Sequence, residues 1–293
     1  MRTVTEAAPP GGPPLVAFSW DMTTEHDRLA PYAGQLTGAD RAFMVGPYAR
    51  DMTTIDEALR FCDQYDLVPL LHTLDLDLCG LDPIDETLVK QLGVAARRLG
   101  VEWVTTDLAM WTKDGEALVE ALVPMPWIAD AVDYVVPRVE RMQELLGVRV
   151  AVENSSYAYV IGDANPFALQ SEIVVRADAV MVYDVGHHLI ASTVSGIGTD
   201  DLMPADYAWD RVVESHLSGV TVLTAEDGPT ADDQHAAPIS EELWQLARRH
   251  MPEARGLRAM VAESEGIRGE DLVAKVGRLA AEVEIWRKGG ATR

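Results

Sequence analysis

Eight short apolar runs, each long enough for one β-strand, recur at 15–20, 41–46, 67–72, 101–107, 148–153, 179–184, 212–216 and 258–263, with helix-patterned segments between them. Strict alternation of strand and helix selects a parallel sheet, because parallel neighbours need a crossover connection. Eight such units predict an α/β fold, a single (β/α)8 TIM barrel. The 293 residues suit one barrel of roughly 250 residues with frayed ends. We assign 1–14 to a flexible N-terminal tail, 15–288 to the barrel as catalytic domain and 289–293 to a C-terminal tail. The EAAPPGGPP stretch near the start has neither a basic region nor an apolar core, so it does not read as a secretion signal, and a cytoplasmic location is expected. No apolar run approaches the ~18 residues of a membrane span.

Helical periodicity covers 54–65, 83–99, 127–146, 165–177, 238–250 and 269–286, with apolar residues three and four apart. Two starts carry a mechanism: Asp82-Pro83 and Asn165-Pro166 each place a capping side chain before a proline at the first helical position. The stretches 192–205 and 223–237 are rich in Gly, Asp, Thr and Ser and read as long loops at the face where loops serve a site.

The polar residues that end the strands suggest chemistry. In a barrel the C-terminal strand ends share one mouth, and there this chain places His72, Asp107, Glu153, Asp184, His216 and Glu263. Each has an ordinary alternative: a hydrogen-bonded wall histidine, a helix cap, a solvated acid. A carboxylate leaving a buried strand, as Glu153 does, is costly to desolvate without a cation or donors. In MVYDVGHHL, Gly186 lets the backbone turn and bring Asp184 and His187 together, while His188 can point elsewhere. Asp233 and His235, two apart in a loop, can share one face of an extended segment. Glu265 is a less well placed neighbour of Glu263, and His26 and His250 read as surface residues. All the alternatives holding at once is far less probable than any one alone. Oxygen and nitrogen donors without sulfur suit iron, manganese or zinc, and their number exceeds one ion's needs, so two or more metals are expected.

The two cysteines, Cys62 and Cys79, read as free thiols, the first a small buried residue. A net charge of −23 disfavours nucleic acid as a partner and serves solubility. Neither a P-loop, a dinucleotide fingerprint nor a G-x-S-x-G elbow occurs.

Over residues 67–266 the sequence resembles the multinuclear non-haem iron-dependent oxidative enzymes, the family that includes the methanobactin-biosynthesis oxidase. The matching stretches are LHTLDLDLCGLDPIDE, LVPMPWIADAVDYVVPRVERMQELLGVRVAVENSSYAYV, YDVGHHLIASTVSGI, SHLSGV and DDQHAAPISEELWQL. The resemblance implies a xylose-isomerase-like barrel, with metal held by His72, Glu153, Asp184, His187, His216, Asp233, His235 and Glu263; Asp107 joins them where the family carries a histidine. Asp184, His216 and Glu263 are the expected catalytic residues, and Asn154, Tyr157 and His188 the expected substrate-binding ones. It further implies two or three irons of mixed valence and dioxygen, acting on a ribosomally made precursor peptide, often at cysteine. A small partner protein that captures the leader peptide is expected too. Departures mark a divergent branch: Thr105-Thr106-Asp107 stands for Ser-Glu-His, His72-Thr73 for His-Gly, His187 for Asn and Glu263-Ser264-Glu265 for Glu-Trp-Asp, and the acid expected near strand two is not evident at 44–48. A zinc or manganese hydrolase or sugar isomerase, and a non-catalytic peptide-binding barrel, are the competing readings.

Overall fold

Alternating apolar side chains send one set of residues into the barrel and the other outward. Leu15, Ala17, Val68, Leu70, Trp103, Ala151, Val180, Val182, Ala259 and Val261 fill the interior, while Val16, Phe18, Val104, Val152 and Tyr183 pack beneath the helices. The strands are β1 (Leu15–Trp20), β2 (Arg41–Val45), β3 (Val68–Leu71), β4 (Trp103–Asp107), β5 (Arg149–Glu153), β6 (Val180–Asp184), β7 (Val212–Leu217) and β8 (Ala259–Ala262). Hydrogen-bonded neighbours run β3-β2-β1-β8-β7-β6-β5-β4, all parallel. A bridge between His72 and Thr105, with the Thr73 N–H donating to the Thr105 carbonyl at 3.0 Å, closes the ring. The molecule is thus the expected TIM barrel. This computed structural model describes residues 12, 14–20, 26–36, 41–45, 52–118, 122–225 and 228–290. Positions 46–48 and the side chains of 44 and 45, where the second-strand acid was sought, lie outside them, as do most of the two tails.

Among the described residues, helices follow the strands as α1 (Met52–Tyr65), α2 (Glu86–Leu99), α3 (Asp130–Leu146), α4 (Pro166–Arg176), α5 (Val185–Ser195), α6 (Glu241–His250) and α7 (Gly269–Gly290), with a short helical turn at His26–Leu29 after β1. Asn165 caps α4 as its sequence predicts. The start of α2 differs, because Asp85 and not Asp82 accepts the first free N–H groups, while the Asp82 carboxylate accepts from Gly115 N–H at 2.9 Å. The C-terminal helix runs to Gly290, into the segment expected to be a tail.

Both expected loops contain structure. Most of 223–237 belongs to an antiparallel hairpin, Gly219–Ala225 paired with Gly228–Gln234. The segment 192–205 holds the end of α5 and a one-turn helix, Thr199–Leu202. Helix α5 shows no polar stripe because every residue from Val185 to Ala191 is buried. No helix among the described residues is long and apolar enough to cross a membrane.

Close approach of α2 to α3 rests on Gly93, where a Cβ would lie 2.6 Å from the Leu146 carbonyl oxygen. Gly93→Ala is expected to force the helices apart and cost about 1–3 kcal/mol, read as a lower urea midpoint; an unchanged midpoint would contradict this packing.

Candidate metal centre

Glu153 ends β5 at the centre of the mouth, 1% exposed. One of its oxygens lies 3.0 Å from His216 Nδ1 and 3.7 Å from His187 Nδ1, and the other lies 3.2 Å from His72 Nε2. Asp107, ending β4, is 3.8 Å from the same His72 nitrogen. Glu263, just past β8, stands 3.3 Å from His216 Nδ1 and 3.4 Å from His235 Nε2. Asp233 closes the circle at 2.9 Å from His235 Nε2 and 3.1 Å from His187 Nε2. Among the described residues four overlapping groups result, each with donor atoms within 4.8 Å of one another: His72/Asp107/Glu153, Glu153/Asp184/His187, Glu153/His216/Glu263 and Asp233/His235/Glu263.

Local structure explains why these side chains converge. Asp184 ends β6 and caps α5, accepting from the His187 N–H. Gly186 has no room for a Cβ, which would lie 2.7 Å from Ser218 Oγ. The His187 Nδ1–H donates to the Asn154 carbonyl at 2.6 Å. A carbonyl only accepts, so in the neutral ring Nε2 keeps the lone pair and His187 serves the Asp233 side. The hairpin delivers Asp233, and Ser218 Oγ–H donates to it at 2.6 Å. Glu265 is better placed than its sequence neighbourhood suggests, accepting from His235 Nδ1–H at 2.7 Å. Buried Lys275 of α7 donates to the carbonyls of His235 (2.5 Å) and Glu263 (3.0 Å), joining two ligand-bearing segments.

The electrostatics call for cations. Burial and the neighbouring acids push the Asp184 carboxyl up to about 8 against His187, and burial with Glu153 pushes Asp107 up to about 6 against His72 and His187. Burial also opposes the charge of Glu153, yet His216 and His72 hold it well below the usual range. Asp184 Oδ2 and Glu263 Oε2 are buried with no hydrogen-bond partner, the latter keeping only its 3.4 Å ion-pair contact with His235 Nε2. A buried anionic oxygen without a partner is unfavourable by several kcal/mol unless a cation meets it, and a sulfur-free set of imidazoles and carboxylates suits iron, manganese or zinc. The residues therefore fit a multi-metal centre.

Three expected substrate contacts are placed differently. The Asn154 amide is used on the backbone of Asp184, donating to its carbonyl at 2.9 Å and accepting its N–H at 2.8 Å, which pins β5 to β6. Tyr157 is buried edge-on against Trp127, ring centroids 5.4 Å apart. His188 leaves the mouth altogether: its Nδ1 accepts from the Tyr183 hydroxyl at 2.7 Å and its Nε2–H donates to the Thr199 carbonyl at 3.0 Å. It joins an aromatic cluster with Phe167 and His250, so His250 is a buried packing residue and not a surface one; the His26 side chain lies outside the described residues. Burial and His250 hold His188 neutral, near 3. We expect His188→Leu to cost about 1–3 kcal/mol in denaturant unfolding with metal content unchanged. A stable variant lacking only turnover would return His188 to the substrate site.

Sequence reading missed Glu214 and Lys275. Glu214 is wholly buried in β7, and a charged residue inside an apolar strand two before His216 was its only signal; Lys275 has none, since its contacts are to backbone. Burial pushes both thiols up, that of Cys62 to about 12, so neither is an activated nucleophile.

The chain is a xylose-isomerase-like TIM barrel whose C-terminal mouth gathers overlapping triads of His, Asp and Glu that could hold metal. Its fold is similar to that of a D-tagatose 3-epimerase-like protein (TM-score 0.58, 15% identity, 93% of this chain and 98% of that one). It is also similar to a xylose isomerase-like TIM barrel protein from Mycobacterium smegmatis in complex with magnesium (TM-score 0.59, 10% identity, 98% and 99%). Residues 47–285 match the family described as RiPP precursor modification enzyme MbnB/TglH/ChrH, and the chain belongs to that family. Among its relatives are UPF0276 proteins of Anaeromyxobacter sp. strain Fw109-5 (26% identical, 89% of this chain and 88% of the relative) and Nitrosospira multiformis (29%, 69% and 67%).

Proposed function

We propose that this protein catalyses iron- and dioxygen-dependent oxidation of a ribosomally synthesised precursor peptide, at a cysteine, in the cytoplasm, assisted by a small partner that captures the leader segment. The observation that carries this reading is the set of four overlapping candidate ligand groups linked through Glu153 and Glu263, with two buried carboxylate oxygens that lack a hydrogen-bond partner among them. Two or three irons of mixed valence would be held by His72, Asp107, Glu153, Asp184, His187, His216, Asp233, His235 and Glu263. Iron bound there supplies one-electron chemistry with dioxygen. Asp184, His216 and Glu263 are the residues we place against the reacting atoms. In the metal-free centre burial raises the Asp184 carboxyl to about 8, and its proton would be displaced on cation binding. Asn154 fixes the Asp184 backbone, and Ser218 with Glu265 orients the Asp233/His235 pair.

The test is elemental analysis of protein purified anaerobically from iron-supplemented cells, with Mössbauer and EPR spectroscopy, followed by oxygen uptake on a cysteine-bearing precursor. Two or more coupled irons and peptide-dependent uptake are expected. Stoichiometric zinc or manganese that resists iron reconstitution would replace this reading with a hydrolase or isomerase, and a centre without affinity for metal would leave a peptide-binding barrel.

A further inference from the structure

Beneath the ring of candidate ligands lies a carboxylate that belongs to none of the four groups. Glu214 on β7 is fully buried in the barrel interior. Its Oε1 accepts from His216 Nε2–H at 2.8 Å, and its Oε2 accepts from Trp103 Nε1–H at 2.5 Å and Thr105 Oγ–H at 3.2 Å. An indole N–H can only donate, so the Trp103 contact defines Oε2 as an acceptor. The opposite nitrogen of His216, Nδ1, faces Glu153 and Glu263 at 3.0 and 3.3 Å.

We propose that Glu214 is a positioning residue that keeps the His216 proton on Nε2 and so presents the Nδ1 lone pair to the metal between Glu153 and Glu263. Trp103 and Thr105 of β4, across the barrel, aim the carboxylate in turn. A carboxylate behind a ligating histidine sets its tautomer and ring orientation; here the support is part of the barrel's packed interior and does not depend on a mobile loop. An amide in place of the carboxylate cannot satisfy all three donors. With its oxygen on Trp103 and Thr105, its NH2 would face His216 Nε2, and the ring would have to move its proton to Nδ1 or turn away.

This inference rests on the metal-site reading of the mouth, and the experiment separates the two. Full-length protein labelled with 15N at histidine is loaded with Zn(II), and long-range proton–nitrogen correlation spectra are compared for wild type and Glu214→Gln, with His216→Gln to assign the ring. Wild type is expected to show a protonated Nε2 and a zinc-shifted Nδ1 on His216. The E214Q variant is expected to lose that pattern and to bind its zinc about 10–100-fold more weakly, with far-UV circular dichroism unchanged. Should E214Q not fold, a variant combining Trp103→Phe, Thr105→Val and Glu214→Met removes the carboxylate together with its Trp103 and Thr105 donors and carries the same two expectations. Wild-type His216 shifts and zinc affinity in the folded variant overturn the proposal. Failure of the wild type itself to bind zinc or Fe(II) overturns the metal-site reading instead.

Discussion

Glu153→Gln is expected to strip the centre of most of its metal, whereas Asp107→Asn is expected to remove no more than one ion. The contrast comes from sharing: Glu153 belongs to three of the four ligand groups and Asp107 to one. Removing a ligand should weaken metal binding by more than the ~10–100-fold that loss of a supporting residue brings, and E153Q does so for several groups at once. The amide preserves volume, but its NH2 turns a donor toward His72 or His216, each of which now donates to or faces a Glu153 oxygen. Metal per chain by mass spectrometry, with circular dichroism as the check on folding, gives the answer. An E153Q protein that keeps full metal content would mean that the ions are not gathered around this carboxylate.

The metal-free protein is expected to lose stability as pH rises from 6 to 9. Attraction from the surrounding carboxylates outweighs burial and raises His72, His187, His216 and His235, and burial first of all raises Asp184 to about 8. Each group therefore binds more protons folded than unfolded over this interval, and the stability it contributes at low pH is lost as pH passes its folded value. Glu153, Asp233 and Glu265 are held low by histidines against their burial; their contributions are complete above the ordinary carboxylate range and vanish only in acid. Lys275, lowered to about 8 by burial, opposes the trend only above that value. Bound metal takes the place of the protons, so the loaded protein should hold its melting temperature over the same range. A fall of at least about 2–4 °C, the effect of ~1 kcal/mol in a domain of this size, is expected after chelation. A metal-free protein that melts higher at pH 9 than at pH 6 would show that the cluster is not organised by shared protons.

The strand ends were readable because the buried stretch of a strand, Glu214 of β7 apart, carries no charged residue until it reaches the mouth, so the His, Asp or Glu that ends it marks the candidate site. This logic located Asp107, Glu153, Asp184 and His216 at the ends of β4 to β7. It could not distinguish a side chain at the mouth from one turned behind the sheet: His187 and His188 are adjacent on α5, yet they face opposite layers. Helix α5 itself escaped because burial on all sides erases helical periodicity. The hairpin escaped because Gly, Asp and Thr dominate its second strand, where composition suggests a loop even though the backbone pairs over seven registered positions. The two Asp-Pro and Asn-Pro signals were chemically equivalent, and only tertiary contact decided them, since Gly115 claims the Asp82 carboxylate.

The hairpin imposes a parity rule on this protein's evolution. Asp233 and His235 reach the centre because Asp233 stands opposite Val220 in a two-residue repeat. One residue inserted within either strand would turn the Asp233 side chain to the other face and remove a candidate ligand without touching it, whereas residues added at the tip, beyond Ala225 and Gly228, would leave the phase intact. Relatives that keep this pair of ligands should therefore differ in hairpin length at its tip, or by whole pairs of residues along its strands.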